Sequence, residues 1–147
     1  DLPRPFTLAS VTAWIEDSLA AQARGECVLS VTLDEAGRVA GYSRITIWPD
    51  RSAGEVAGGR RADLQNSGQT TRNRGRPFDW VFETLGVRLM CLTAALDNVR
   101  SARLIDAAGF RRMGERLSVR PDGTTRRSIY WELTRDEFRA YWAARPE

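Results

Sequence analysis

Gln65-Asn66-Ser67-Gly68-Gln69-Thr70-Thr71-Arg72-Asn73-Arg74-Gly75-Arg76 is a polar, basic stretch set between apolar segments. Behind it, Ala53 to Arg61 reads as a strand. Ahead of it, Pro77 suits the first position of a helix whose apolar face is Phe78, Val81, Phe82 and Leu85, closed by Gly86. Val87 to Ala95 is then almost unbroken in apolar residues, the pattern of a strand covered on both faces. A strand, a glycine-containing loop and a helix start form a general anion trap. Loop and first-turn N–H groups lack intrahelical partners, and the helix dipole adds partial positive charge. The pattern alone recurs by chance, so its meaning rests on what surrounds it.

Upstream, Leu8, Val11, Ile15 and Leu19 recur at helical spacing and predict a helix over Leu8 to Ala23, with Thr7 as its cap and Gly25 as its end. Cys27 to Leu33 and Val39 to Trp48 read as a hairpin about the turn Asp34-Glu35-Ala36-Gly37, and Pro49-Asp50-Arg51-Ser52 turns into the third strand. Downstream, Asp97 or Asn98 caps a helix that turns Ala102, Ile105 and Ala108 inward and ends at Gly109-Phe110. Pro121-Asp122-Gly123 marks a late hairpin leading into a strand from Arg126 to Leu133. Thr134-Arg135-Asp136-Glu137 is a capping box that opens a last helix through Tyr141 and Trp142. Strands meander first and alternate with helices later, which predicts a mixed α/β (α+β) domain.

At 147 residues the chain has the length of one domain, 1–147. No apolar run approaches the roughly 20 residues of a membrane helix. Asp1-Leu2-Pro3-Arg4-Pro5 lacks the regions of a signal peptide and begins without Met, so further residues are expected upstream. Cys27 and Cys91 lie far apart in strand-like stretches and read as reduced core residues, consistent with a cytoplasmic setting. The absence of histidine excludes Ser-His-Asp and Cys-His nucleophile activation within the chain. It also excludes His-based zinc sites, and two cysteines are too few for a four-cysteine site, so no metal is expected. The net charge of +3 is carried by arginine, suited to gripping phosphate in a cofactor or nucleic acid and equally at home on a solvated surface.

From Glu55 through Phe110 the chain resembles the cofactor-binding core of the GNAT N-acyltransferases. Their pyrophosphate loop reads Q/R-x-x-G-x-G/A between a strand and a helix; Gln65 and Gly68 match it, and Thr70 departs from it. Asp97-Asn98-Val99-Arg100-Ser101 followed by Gly109-Phe110 is similar to the family's N-x-x-S/A and G-F pair, in the Asn-x-x-Ser version of the ribosomal-protein N-terminal acetyltransferases. Tyr130-Trp131-Glu132-Leu133-Thr134-Arg135-Asp136-Glu137-Phe138 is like the family's ending. The resemblance implies a mainly antiparallel sheet flanked by helices, lacking the family's usual first strand and helix. It implies acetyl transfer from acetyl-CoA to a primary amine, on a small molecule, a peptide N-terminus or a lysine.

The resemblance also assigns roles. Gly58, Gly59 and Arg60 offer backbone groups to the pantetheine arm, although the glycines read equally well as a bulge or a close packing contact. Gln65, Asn66, Ser67, Gly68, Gln69, Thr70 and Thr71 cradle the pyrophosphate, with Arg72, Arg74 and Arg76 either gripping the 3′-phosphate or forming a solvated face. Asn98 and Ser101 line the thioester end, with Ser101 as proton donor to the leaving thiolate; the plain alternative is a helix cap. Ile105 stands where many members carry a tyrosine acid and Thr93 where others carry a glutamate base. Glu55 is left as candidate general base or, more plainly, an exposed strand-end charge. Trp14, Trp48, Phe78 and Trp80 either line the acceptor pocket or belong to the core. The departures at Thr70, Pro77, Thr93 and Ile105 keep open a non-catalytic binding module of the same fold, and the arginines keep open an acceptor amine linked to RNA. Free nucleic acid and membrane are not expected as partners; pairing of two copies is allowed.

Overall fold

Thr7 opens the first element. Its hydroxyl accepts from the Ser10 N–H at 3.1 Å while Ser10 Oγ accepts from the Thr7 N–H at 3.0 Å, a reciprocal cap that starts α1 (Leu8–Ala23). The computed structural model describes residues 2–65, 76–120 and 122–145, with only the backbone of Arg76 and Pro77. Gly25, at φ +76°, turns the chain out of α1 into β1 (Cys27–Leu33). Asp34 Oδ1 then accepts from the N–H groups of Ala36 and Arg38 at 3.0 and 2.9 Å, tightening the turn into β2 (Val39–Trp48). β3 (Ala53–Arg60) completes an antiparallel meander, ending one residue short of the expected Arg61.

After β3 come α2 (Arg76–Thr84), β4 (Leu89–Ala95), α3 (Val99–Ala107), β5 (Arg111–Val119), β6 (Thr125–Thr134) and α4 (Arg135–Ala143). β4 starts two residues later than its apolar run. The Arg88 and Leu89 N–H groups both donate to Ser52 O, which anchors the strand there and leaves Val87 as a buried packing residue. The strands form one sheet in the order β1-β2-β3-β4-β6-β5, antiparallel except at β3 and β4. This is the mixed, mainly antiparallel sheet flanked by helices that the sequence predicts. Both cysteines are buried and free, in agreement with the sequence.

The core lies on one face of the sheet. Val81 and Phe82 of α2, Ala102 of α3 and Phe138 of α4 close over Ile45, Met90, Trp131 and Leu133. Pleating sends alternate residues to the other face, which α1 covers. There the helix does not use its large side chains. Leu8, Ile15 and Leu19 are 86%, 39% and 52% exposed, while Ser18 and Ala21 are buried and Val11 and Trp14 half-buried. The sheet beneath carries Arg44 and Cys27, and both bond Ser18. Arg44 Nε donates to its hydroxyl at 3.2 Å, and Cys27 Sγ lies 3.3 Å from its carbonyl. Small and polar residues fit a polar sheet face, and bulky apolar ones are turned to solvent. Among the described residues no helix is long and apolar enough to cross a membrane.

Candidate functional site

β3 and β4 run side by side for only three residue pairs: Ala53 with Leu89, Gly54 with Met90 and Glu55 with Cys91. Beyond them β3 stays with β2 as far as Arg60 and β4 stays with β6 as far as Ala95. The two strands therefore splay apart, and β3 from Val56 to Gly59 has no strand on its β4 side among the described residues. Such an edge accepts an extended, amide-bearing chain as a further strand.

Glu55 sits where the splay begins. It lines a cavity of about 140 Å³ on the α1 face, together with Trp14, Tyr42, Arg44, Thr46 and Ala57. Trp48 Nε1 donates to Glu55 Oε2 at 3.3 Å, and the Trp14 and Tyr42 rings meet edge to face at 5.6 Å. Of the four aromatics named from sequence, Trp14 lines this cavity and Trp48 touches Glu55. Phe78 packs against Phe110 and Phe138 in the core, and Trp80 is 46% exposed.

Beside Glu55 on the same face is a polar cluster that sequence reasoning missed. The Tyr130 hydroxyl lies 2.6 Å from Glu132 Oε1 and 3.2 Å from Cys91 Sγ, and it accepts from Arg51 Nη2 at 3.1 Å. Arg51 also pairs with Glu132 at 3.3 Å, and the Arg116 guanidinium stacks 3.6 Å over the Tyr130 ring. Burial pushes the Tyr130 phenol well above its ordinary range, and burial likewise raises the Cys91 thiol. Both are neutral, and neither is poised as a base or nucleophile. No spacing signal marks this cluster in the sequence, because Arg51 and Tyr130 meet only through the sheet.

Of the residues assigned to the cofactor, the described ones belong to β3, to the residues that follow it and to the first turn of α3. Gly58 and Gly59 lie on the open strand. A Cβ on Gly58 would stand 2.8 Å from the Tyr42 carbonyl oxygen, and one on Gly59 would stand 2.9 Å from Tyr42 Cε1. The close-packing reading of these glycines thus has a physical cause in β2. Gln65 Nε2 donates to Arg60 O at 2.8 Å, and Gln65 Oε1 accepts from Arg100 Nη1, tying the end of β3 to the first turn of α3. Arg100 was not singled out from the sequence. On that turn, Asn98 Oδ1 accepts from the Ser101 N–H at 3.1 Å, so Asn98 is the helix cap; Ser101 is half-buried. Asn66, Ser67, Gly68, Gln69, Thr70 and Thr71, with Arg72 and Arg74, lie outside the described residues.

No protein-family model and no curated protein sequence matches the chain. Solved structures do. The ribosomal-protein-S5-alanine acetyltransferase from Vibrio fischeri aligns over 93% of this chain and 80% of its own, at 17% identity and a TM-score of 0.76. A spermidine N-acetyltransferase mutant from Vibrio cholerae aligns over 87% and 77%, at 15% identity and 0.72. A microcin C7 self-immunity acetyltransferase, solved with acetyl-CoA and AMP, aligns over 86% and 70%, at 16% identity and 0.71. The chain therefore has the fold of the GNAT acetyltransferases.

Proposed function

We propose that this chain, with α1 to α4 acting as one domain, is an N-acetyltransferase that moves an acetyl group from acetyl-CoA to a primary amine. The observation that carries this reading is the parting of β3 and β4 after Glu55 and Cys91, with a carboxylate at the fork and a small cavity beside it. When bound, acetyl-CoA supplies an activated acyl thioester.

The chain's own residues do the rest. The open edge from Val56 to Gly59 holds the amide-bearing arm in register, with Arg60 continuing the strand. The loop from Gln65 to Thr71 is assigned the pyrophosphate, and Gln65 braces that loop's start against Arg60 and Arg100. Asn98 caps α3 and so sets where Ser101 stands on the opposite wall. Glu55 takes the proton that an ammonium must lose before its lone pair can attack, directly or through one water. The new bond is carbon–nitrogen and the broken bond is carbon–sulfur; the Ser101 hydroxyl gives a proton to the departing sulfur and regains one, through water, from the proton that the newly acylated nitrogen sheds. Positioning amine and thioester together contributes further, on the order of 7 kcal/mol or more in favourable systems.

Thiol release from acetyl-CoA, measured against a panel of primary amines, tests the reading. Wild type turns over at least one amine, Glu55→Gln loses about 10²- to 10⁴-fold in kcat, and Ser101→Ala loses less. Acetyl-CoA also raises Tm, by an amount that grows with the logarithm of its concentration once that exceeds Kd. An unchanged Tm at millimolar acetyl-CoA, with no thiol released from any amine, removes the proposal.

A further inference from the structure

Arg44 stands in the same cavity as Glu55 and is half-buried. Its guanidinium donates from Nε to Ser18 Oγ at 3.2 Å and from Nη1 to Thr46 Oγ1 at 2.9 Å. Among the described residues, no carboxylate lies within ion-pairing distance of it, although the exposed Arg24, Arg38, Arg127 and Arg139 all have one. A guanidinium has five donors, and two hydroxyl acceptors supply no negative charge. A charge withdrawn from water calls for a counter-charge.

Tyr42 also lines a second, larger recess on this side of the molecule, about 640 Å³, with Arg4, Arg120 and Arg126 in its wall. Among the described residues Asp122 is the only carboxylate lining it, and Thr124 bonds Asp122 Oδ1 through both N–H and hydroxyl. Arg126 Nε is buried and has no hydrogen-bond partner among the described residues. One carboxylate at the fork of the strands is thus faced by a succession of arginines leading away from it.

From this arrangement we infer that the acceptor amine itself carries an acidic group, a carboxylate or a phosphate. Its ammonium sits at Glu55, and its anionic group sits on Arg44 and reaches toward Arg126. Two charges of opposite sign in one small cavity suit a molecule bearing the complementary pair. A polyamine would place a second ammonium among arginines. Arg44 is a specificity residue, and its bonds to Ser18 and Thr46 preorganise it. The inference rests on the acetyl-transfer reading for its chemistry, but its binding geometry is testable apart from it.

The test compares β-alanine and phosphoethanolamine with β-alaninamide, which keeps the ammonium but replaces the acid by a neutral amide, and with spermidine. Binding to the full chain is followed without cofactor by tryptophan fluorescence, which Trp14 in the cavity wall reports, and turnover is followed by thiol release. Both acids should bind at least about tenfold more tightly than the amide, the size of one charge-assisted hydrogen bond, and kcat/KM should rank the same way. Which of the two acids leads tells carboxylate from phosphate. Arg44→Gln should collapse the acid-to-amide ratio, Arg44→Lys should restore part of it, and Arg126→Gln supplies the same comparison if Arg44→Gln does not fold. Equal or tighter binding of amide or spermidine by wild type overturns the inference, and so does an unaltered ratio in Arg44→Gln. If spermidine is acetylated best, the inference fails and acetyl transfer stands. If the acids bind selectively but acetyl-CoA neither binds nor releases thiol, acetyl transfer fails and the acidic ligand stands.

Discussion

Gly58 and Gly59 show how one residue type answers to different neighbours. The atom that would meet a Cβ at Gly58 is a backbone carbonyl of β2, which cannot move without breaking the ladder; at Gly59 it is the rim of a ring, which can swing. Gly58→Ala is therefore expected to lower stability by about 1–3 kcal/mol in urea titrations, the range for overpacked sites. Gly59→Ala should cost less and instead shift the fluorescence of Trp14, because Tyr42 is the partner that moves. At this scale the sequence was legible in part. Glu55 could be named as a candidate because Thr93 and Ile105 left no other carboxylate or phenol at the family's positions, whereas Arg44, Arg51 and Glu132 could not, because each gains its contacts only from neighbours on other strands.

Element boundaries follow local chemistry closely. Thr134 Oγ1 accepts from the Glu137 N–H at 3.1 Å and Glu137 Oε2 accepts from the Thr134 N–H at 2.9 Å, so α4 is capped in both directions. Thr134→Ala should cost about 1 kcal/mol by denaturant melting. The Glu137 pKa is held down first by the Thr134 backbone N–H, which alanine keeps, and further by the Thr134 hydroxyl, which donates to Glu137 Oε2 at 2.9 Å; losing that hydroxyl lets it rise part of the way. α1 teaches the opposite lesson. Its periodicity names a helix but not the side it buries. Leu8, Ile15 and Leu19 share a stripe, but the sheet face beneath α1 presents Arg44 and Cys27, which only the stripe of Ser18 and Ala21 can meet.

Over the whole molecule, stability should show a plateau bounded by acid and alkali. Asp106 is held below the usual carboxylate range first by Arg112 and then by Trp131 Nε1, and Asp34 first by the Arg38 N–H. Their folded pKa values lie below the unfolded ones. As pH falls through about 4 the unfolded chain takes up protons first, and stability present above that point is lost. Cys91 and Tyr130 run the other way: burial raises their folded pKa values. Stability complete below about pH 8.5 therefore declines as pH rises and the unfolded thiol ionises. With no histidine to titrate between these limits, the urea midpoint should be nearly flat from about pH 5.5 to 8. A step near pH 6.5 would contradict this.

Caps, turns and apolar periodicity act over a few residues, so the sequence by itself determined the order of helices and strands and, through Asn98 to Phe110, the acetyltransferase-like fold. The tertiary structure alone decided that β4 lies beside β3 for three pairs and then leaves it. It also decided that Arg44, Arg126 and Glu55 face one side of the sheet. Those outcomes depend on strand partners and sheet twist, set by packing between residues far apart in the chain, which no local pattern encodes.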